Sequence, residues 1–253
     1  MSIEVPLKIF RYRPGSEPHY EQYKVTVPDD ANVIDAIMAV WSDHDRNLMF
    51  RHACHHASCG TCAVRLNGYE CLPCIVPVKE ALARSPELLI EPLRNFPLVG
   101  DLVVDVTGFF QKLTESGMRI TRTAEPTLDG RPYEPTQVFD AAGELADCPY
   151  NRFENCIECG ICISACPTLA AGDTFLGPAA IASLERALCA AGSPQARSEL
   201  LALADGDQGV WRCHSAFECT EACPQNVEPG AAAMRLRRTL VGHKVKALFG
   251  RDE

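Results

Sequence analysis

Hydrophobic and polar residues alternate in two stretches near the N-terminus, which predicts two β-strands. Residues Val5 to Tyr12 and Tyr20 to Val27 both show the period of two that a half-buried strand requires. The pair Pro14-Gly15 between them is typical of a turn. The first part of the chain therefore predicts a β-hairpin.

A helical period follows the hairpin, and two further strand patterns follow the helix. Asp30 or Asn32 can cap the helix, whose predicted apolar face consists of Val33, Ile34, Ile37, Met38 and Trp41. Asn67-Gly68 predicts a tight turn between strands Ala63 to Leu66 and Tyr69 to Leu72, and Leu88 to Ile90 is a further strand candidate. We expect a small mixed sheet with one helix.

The second half of the chain is predominantly helical in pattern. Predicted helices cover Leu102 to about Leu113, Pro178 to Ala190, Pro194 to Ala204 and about Pro229 to Phe249. Three prolines within residues 121–137 predict an extended connection at about residues 121–140. We therefore predict an α+β fold with two domains, residues 1–100 and residues 101–253.

Composition excludes several classes of protein. The chain is 47% hydrophobic and 23% charged, as expected for a globular protein, and its net charge of -9 argues against a general nucleic-acid binder. Residues 1–10 lack the apolar core of a signal peptide, and no segment approaches the roughly 20 apolar residues that span a bilayer. Since disulfide scaffolds belong to oxidising compartments, the 14 cysteines predict metal or redox sites on the cytoplasmic side.

One run of cysteines has the spacing of bacterial ferredoxins, C-x2-C-x2-C-x3-C-P. It comprises Cys156, Cys159, Cys162 and Cys166, followed by Pro167. In this motif three thiolates bind one iron-sulfur cluster, whereas the fourth binds a second cluster. The run therefore predicts two metal centres.

A second group supplies the remaining ligands. It contains Cys213, Cys219 and Cys223 before Pro224, with Ala216 at the position of the second cysteine. If the pairing crosses over, one site has four ligands, Cys156, Cys159, Cys162 and Cys223, and the other has three, Cys166, Cys213 and Cys219. Four thiolates suit [4Fe-4S], and three suit [3Fe-4S].

A third group has the plant-type spacing of a [2Fe-2S] cluster. Its ligand candidates are Cys54, Cys59, Cys62 and Cys74. Cys71 is an alternative to Cys74, although the usual loop length favours Cys74. His52, His55 and His56 would suit a Rieske centre, but four cysteines already complete the site, so neighbouring roles are expected for them.

Other interpretations of the cysteines and of the basic C-terminus remain open. Closed tetrahedral zinc sites also use C-x2-C pairs, which would make the chain a zinc-stabilised assembly module. Cys148 and Cys189 are expected to be small buried residues. Residues 231–250 carry five Lys or Arg and no acidic residue, which suits either anionic lipid and a membrane anchor or a solvated helix face.

With these three groups in this order, the whole chain resembles the iron-sulfur subunit of succinate dehydrogenase and quinol:fumarate reductase. Supporting stretches are Asp101 to Asp105, Phe175 to Pro178 and Gly209 to Cys213. The resemblance implies an N-terminal β-grasp plant-type ferredoxin domain and an all-helical, bacterial-ferredoxin-like C-terminal domain. It also implies electron transfer between the FAD of a catalytic partner subunit and a quinone at a membrane anchor, so the chain itself would hold no dicarboxylate site.

Further expectations come from the same resemblance. The chain would lie peripherally on the cytoplasmic side of the cell membrane, held by anchor subunits. Pro167, His214 and Arg237 match residues that line the family's quinone pocket, whereas Ala170 and Ala171 replace an aromatic pair found in some members. Val210-Trp211 resembles the fumarate-reductase branch and His214 the succinate-dehydrogenase branch, so both directions of reaction remain open. A soluble flavoprotein with a non-quinone acceptor is the alternative.

Overall fold

The computed structural model describes residues 2–117, 152–172, 174–189, 191 and 193–248. The predicted connection at about residues 121–140, and Cys148, lie outside these residues. Elements up to residue 104 are β1 (Ser2–Arg11), β2 (His19–Pro28), α1 (Val33–Asp43), β3 (Val64–Leu66), β4 (Tyr69–Cys71), α2 (Val78–Arg84), β5 (Leu88–Glu91), β6 (Leu98–Gly100) and β7 (Val103–Val104). The later helices are α3 (Thr107–Glu115), α4 (Ile161–Ser164), α5 (Pro167–Ala170), α6 (Pro178–Cys189), α7 (Pro194–Asp205), α8 (Glu218–Glu221) and α9 (Pro229–Leu248). Short 3-10 turns lie at Pro73–Ile75, Arg152–Asn155 and Val210–Arg212.

A mixed sheet forms the first part of the chain. Among the described residues its strand order is β2-β1-β5-β3-β4, with β1 antiparallel to β2 and parallel to β5. Val5, Leu7 and Ile9 alternate toward the core and are fully buried, as their period of two predicts. The predicted hairpin and mixed sheet are confirmed, and together with the helices they confirm the α+β class.

Helix α1 covers one face of this core. It begins after Asn32, whose backbone N–H donates to Asp35 Oδ2 at 2.9 Å. Val33, Ile34 and Ile37 are buried as predicted, but Trp41 is 37% exposed. The prediction for Trp41 was wrong because the buried face continues through Ala36 and Val40, which places the indole at the helix edge, 4.3 Å below the Arg46 guanidinium.

Two predictions on the number and limits of helices were also wrong. A second helix, α2, accompanies the sheet; with seven residues and only Val78 and Ala81 buried, it gives a weak periodic signal. The helix predicted from Leu102 begins at Thr107, because residues 103–104 pair with β6 as β7. Asp105 Oδ1 accepts the Thr107 N–H at 2.9 Å and fixes this later start.

The remaining helices pack around two further apolar clusters. The limits of α6, α7 and α9 agree with the prediction within one residue. The prediction that Cys189 is buried was wrong, because it is the last residue of α6 and is exposed there. Ile181 and Leu184 of α6 pack with Leu236 and Leu240 of α9 in one cluster. Ile161 of α4, in contrast, is fully buried in the core of the N-terminal sheet, so the helical part is anchored to the first part of the chain.

Candidate metal centres

The first cysteine loop has a backbone that aims N–H groups at one sulfur. His55, Ala57 and Gly60 are left-handed, with φ of 61°, 57° and 67°. This folds the loop so that the N–H groups of His56, Ser58 and Cys59 lie 3.5, 3.3 and 3.4 Å from Cys54 Sγ. These donors, led by His56, lower the pKa of Cys54 to about 6, which favours the thiolate that a metal needs.

Cys62 and Cys74 face each other on the buried side of the same loop. Cys62 precedes β3, and Cys74 lies in the 3-10 turn after β4. Burial, followed by a hydrogen bond with Cys74, raises the pKa of Cys62 to about 12. The Cys62 thiol therefore needs a nearby cation to ionise, and iron supplies that charge. The buried pair, together with the sulfur hydrogen bonds of Cys54, fits a cluster at this loop.

Cys71 lies close to this group but belongs to a strand. It is part of β4 and pairs with Val64 of β3. Burial, with smaller contributions from Cys74 and Glu70, raises the pKa of Cys71 to about 12. Its backbone is thus held in the sheet, whereas the backbone of Cys74 is free of the sheet ladder.

The three histidines contact one another and the loop rather than the buried thiols. His52 Nδ1 lies 3.1 Å from His55 Nε2, and the His52 ring stacks on Phe50 with centroids 5.2 Å apart. His56 Nδ1 contacts the Cys54 carbonyl oxygen. All three histidines are exposed.

The loops of residues 156–166 and 213–223, which are the second and third cluster loops in chain order, have the same backbone path. In the second loop, Glu158 and Gly160 are left-handed, and α4 begins directly afterwards. In the third loop, Ser215 and Phe217 are left-handed, and α8 begins directly afterwards. Cys159 and Ala216 stand at the same position of this repeated turn. The structure therefore agrees with the alignment that assigned Ala216 to the missing cysteine.

Seven of the remaining cysteines line two separate cavities in the described part of the chain. Cys156, Cys159, Cys162 and Cys223 line one cavity, and Cys166, Cys213 and Cys219 line the other together with Ala216. The last cysteine of each group thus lies with the earlier members of the other group. This is the crossed-over arrangement that the motif predicts.

Burial and crowding keep four of these thiols neutral in the absence of a positive charge. Burial raises the pKa of Cys156 to about 12 and that of Cys159 to about 11, and it raises the pKa of Cys162 well above its ordinary value. In the other cavity burial, with Cys166 and Cys213 as neighbours, raises the pKa of Cys219 to about 12. Such groups ionise when iron binds, so the donor sets fit clusters.

Backbone N–H groups also donate to sulfur in these two cavities. Ser215 N lies 3.4 Å from Cys213 Sγ, and Val227 N lies 3.4 Å from Cys223 Sγ. Hydrogen bonds of this kind stabilise the thiolate form and tune the potential of a cluster.

Two of the three residues predicted to contact quinone line the cavity of three thiols. Pro167 and His214 are both exposed there, next to Cys166 and Cys213. Arg237 instead holds the third loop from the side of α9: it donates to Ser215 Oγ at 3.0 Å, to Val210 O at 3.1 Å and to Cys213 O. Arg237 is not among the residues that line the cavity.

The first cluster loop also contacts the second, which the sequence did not predict. A Cβ atom on Gly60 would lie 2.7 Å from Cys159 Cβ, and Gln225 Nε2 donates to Ala57 O at 3.1 Å. The segment after β5 crosses α4, with Asn95 Nδ2 2.8 Å from Ile163 O. The polar Arg94-Asn95 pair after an apolar strand was the available signal, but it could not identify a partner some 70 residues away.

Known families match the two parts of the chain. A "2Fe-2S iron-sulfur cluster binding domain" matches residues 6–111, and a "4Fe-4S dicluster domain" matches residues 152–227. The fumarate reductase iron-sulfur subunit of Mycobacterium tuberculosis is 34% identical over 98% of both chains, and that of Haemophilus influenzae is 31% identical over 89% of both. A mitochondrial succinate dehydrogenase iron-sulfur subunit of Candida glabrata is 29% identical over 92% of this chain and 90% of its own.

A solved structure has the same fold. A chain of the Mycobacterium smegmatis Sdh1 complex in the apo form matches with a TM-score of 0.74 at 22% identity, covering 97% of this chain and 98% of that chain. Fold and cysteine groups together define an iron-sulfur electron-transfer protein. The chain belongs to the family of iron-sulfur subunits of fumarate reductase and succinate dehydrogenase. The predicted resemblance is confirmed, and the chain serves as an electron-transfer subunit of such an oxidoreductase.

Three findings bear on the remaining expectations. Within residues 2–117, 152–172, 174–189, 191 and 193–248, no three His, Cys, Asp or Glu side chains form a site for a single metal ion. The family models describe iron-sulfur domains, not the zinc module that the cysteine spacing also allowed. Among the described helices, none has the length and apolar character to cross a membrane.

Proposed function

We propose that the chain holds three iron-sulfur clusters and passes single electrons along them. The [2Fe-2S] ligands are Cys54, Cys59, Cys62 and Cys74; the [4Fe-4S] ligands are Cys156, Cys159, Cys162 and Cys223; the [3Fe-4S] ligands are Cys166, Cys213 and Cys219. The single observation that carries this proposal is the separation of the last seven thiols into a cavity of four and a cavity of three beside Ala216.

The order of the path follows from the contacts between loops. The first loop lies against the second at Gly60 and Cys159, and α4 joins the cavity of four thiols to that of three. When bound, the clusters store one electron each at successive points. We therefore assign the first loop to the side of a FAD-containing catalytic subunit, and the cavity of three thiols, with Pro167 and His214, to the side of quinone.

The fold labels and domain limits are also part of the proposal. We assign a β-grasp fold to residues 1–100 and a bacterial-ferredoxin-like helical fold to residues 101–253. Contacts support a division somewhat later than residue 100, between Asp101 and Lys112. The β6-β7 turn residue Asp101 pairs with Arg11 of the sheet, whereas Lys112 of α3 donates to Phe175 O of the helical part at 2.7 Å.

The last helix supports a position of the chain at a membrane. Val241, Val245 and Leu248 of α9 are exposed apolar residues at helical spacing, and Arg238 and Lys246 are exposed on the same helix. Three other basic side chains of α9 bind groups within the chain: Arg235 pairs with Glu185, Lys244 pairs with Asp205, and Arg237 holds the third loop. The apolar stripe thus supports a membrane anchor subunit as the partner, and we assign the chain to the cytoplasmic side of that membrane.

Electron paramagnetic resonance of the co-purified complex tests these assignments. An oxidised [3Fe-4S] signal in the isolated complex and a reduced [2Fe-2S] signal after dithionite are expected. Cys223→Ser should remove the [4Fe-4S] signal and Cys166→Ser the [3Fe-4S] signal, with Cys189→Ser as a control outside both cavities. The opposite pattern would contradict the crossed pairing, and absence of both cluster types would contradict the function. Succinate:quinone and quinol:fumarate assays of the same complex measure its direction.

A further inference from the structure

Helix α4 carries a candidate ligand for each of the two cavities. Cys162 lies within the helix and lines the cavity of four thiols, and Cys166 follows two residues after its end and lines the cavity of three. Any displacement of α4 would therefore move both metal centres relative to the first cluster loop. The residues that fix this helix on the N-terminal sheet decide the spacing between the centres.

The side chain of Asn95 binds the C-terminal end of α4. Its Nδ2 lies 2.8 Å from Ile163 O, and 3.2 Å from both Ser164 O and Cys166 O. A helix end leaves carbonyl groups short of intrahelical partners, so one amide here satisfies a backbone requirement of the helix. Asn95 has a left-handed backbone with φ of 64°, which asparagine adopts more readily than most residues.

A buried serine connects the same helix to the sheet. Ser164 is fully buried, and its Oγ donates to Glu70 Oε1 of β4 at 2.8 Å. The same Oγ accepts the backbone N–H of Arg94 at 2.9 Å, and Arg94 Nη2 lies 3.2 Å from Glu70 Oε1. The Glu70 side chain is only 7% exposed, so its charge is shielded from water and its partners matter to its energy.

Apolar packing supports these polar contacts at the other end of the helix. Phe96 covers Gly160, where a Cβ atom would lie 2.9 Å from the phenyl Cζ. Ile161, the first residue of α4, is fully buried in the core of the sheet. Both ends of α4 are thus tied to the N-terminal part of the chain.

We propose that Glu70, Arg94, Asn95 and Ser164 form a latch that sets the spacing between the first cluster loop and the two later centres. Glu70 and Asn95 are its positioning residues: their hydrogen bonds to the α4 region go to the Ser164 hydroxyl and to backbone carbonyl groups, and they hold the helix that carries Cys162. The latch rests on the ligand assignment proposed above. Electron transfer between centres weakens steeply with distance, so a loosened latch slows the passage of electrons.

Two substitutions test the latch, and each has a matched control that reports a general loss of stability in the sheet. Asn95→Gly removes the amide and keeps a residue that tolerates positive φ. Asn67→Gly is its matched control, because Asn67 also has a left-handed backbone, with φ of 49°, and its Oδ1 accepts Leu89 N at 2.7 Å within the sheet. Glu70→Gln removes the buried charge; Glu91→Gln is its control, because Glu91 pairs with Arg65 at 3.1 Å inside the same sheet.

The readout is the magnetic interaction between the reduced first and second centres in the purified complex. In the wild-type complex this interaction should speed the spin relaxation of the first centre and broaden its lines. In the double variant Asn95→Gly/Glu70→Gln, at wild-type iron content, we expect both effects to be lost, whereas the two controls should keep them. Ser164→Ala, which removes one hydroxyl, should give a smaller loss of the same kind if the double variant does not assemble.

The results distinguish the latch from the function on which it rests. Wild-type signals with an unchanged interaction in Asn95→Gly, Glu70→Gln and Ser164→Ala would overturn the latch alone. Equal losses in the controls and the latch variants would also overturn it, because a general loosening of the sheet would then explain the effect. A wild-type complex without the two signals would overturn the ligand assignment and, with it, the latch.

Discussion

Gly60 of the first cluster loop packs directly against Cys159 of the second. A Cβ atom on Gly60 would lie 2.7 Å from Cys159 Cβ and 2.8 Å from Ile157 O. The glycine also has φ of 67°, which other residues adopt at a cost. Because Gly60 has no side chain, the backbone of the first loop lies directly against Cys159 and Ile157 of the second.

We predict that Gly60→Ala separates the two loops. The left-handed backbone costs about 1–2 kcal/mol for an alanine. The overlap with Cys159 adds about 1–3 kcal/mol, because the neighbouring atoms belong to backbone or to a short side chain. Urea unfolding followed by circular dichroism measures the loss, and the magnetic interaction of the first two centres should weaken with it.

Gly68→Ala is the control for this substitution. Gly68 has φ of 88°, but nothing lies within 4 Å of the position of its Cβ atom. It should therefore show the cost of the backbone without the overlap, and leave the interaction between the centres unchanged. Equal losses in the two variants would mean that the loops tolerate a methyl group at Gly60.

The cysteine groups were predictable because their geometry is local. A spacing of two or three residues fixes which sulfurs can face one point, and Ala216 could be placed by aligning two turns of equal length. Helices α6, α7 and α9 were predictable for a similar reason, since each presents several turns of apolar period. The motif also predicted one long-range contact, because its last cysteine binds a different cluster from the first three.

Contacts between distant segments could not be predicted. The sequence identified Arg237 as basic and near the end of the chain, but only packing shows that its guanidinium binds the carbonyl oxygens of Val210 and Cys213. The latch residue Asn95 reaches a helix 68 residues away. The error at Leu102 has the same origin, because a short apolar segment suits a strand or a helix until its partner is known.

We predict that Cys74→Ala abolishes the [2Fe-2S] signal, whereas Cys71→Ala preserves it. Cys74 lies in a short turn that can aim its sulfur at Cys62, but Cys71 is held in the β3-β4 ladder opposite Val64. Low-temperature resonance spectra of the two dithionite-reduced proteins measure the difference. A signal retained in Cys74→Ala and lost in Cys71→Ala would show that the strand residue supplies the fourth ligand.

We predict that Ala216→Cys converts the centre with three ligands into one with four. Ala216 occupies the place of Cys159 in the repeated turn, between left-handed Ser215 and Phe217, and lines the cavity of Cys166, Cys213 and Cys219. The oxidised [3Fe-4S] signal should disappear and the iron content should rise by one atom per chain. Ala216→Ser is a control of similar size. A [3Fe-4S] spectrum retained in the cysteine variant would show that the side chain at residue 216 does not reach the position that a fourth iron atom would occupy.

Asp101 is the buried centre of an ion network that includes Arg11 and Arg13. Its side chain is 1% exposed, and it accepts Met49 N at 2.8 Å, Tyr12 N at 2.9 Å and Arg11 Nε at 3.2 Å. Burial acts to raise the pKa of Asp101, but the two backbone N–H groups and the arginines outweigh it and lower the pKa below its ordinary value. The network therefore connects the sheet to the segment that enters the cluster loop.

We predict that Asp101→Asn destabilises the protein by about 1–3 kcal/mol at neutral pH, because the N–H groups of Tyr12 and Met49 lose a charged acceptor. Arg11 also loses one carboxylate partner but keeps its pairs with Glu21 and Asp45. The folded pKa of Asp101 lies below the unfolded value of about 3.9, so its stabilisation is complete above that pH and is lost as the pH falls through the folded pKa. The difference in urea midpoint between wild type and variant should thus shrink in acid. Asp29→Asn, which breaks a pair with Lys79 at the surface, is the control and should give a much smaller loss. Because acid affects the clusters of all three proteins alike, a wild-type minus Asp101→Asn difference that stays constant down to about pH 3 would contradict the lowered pKa.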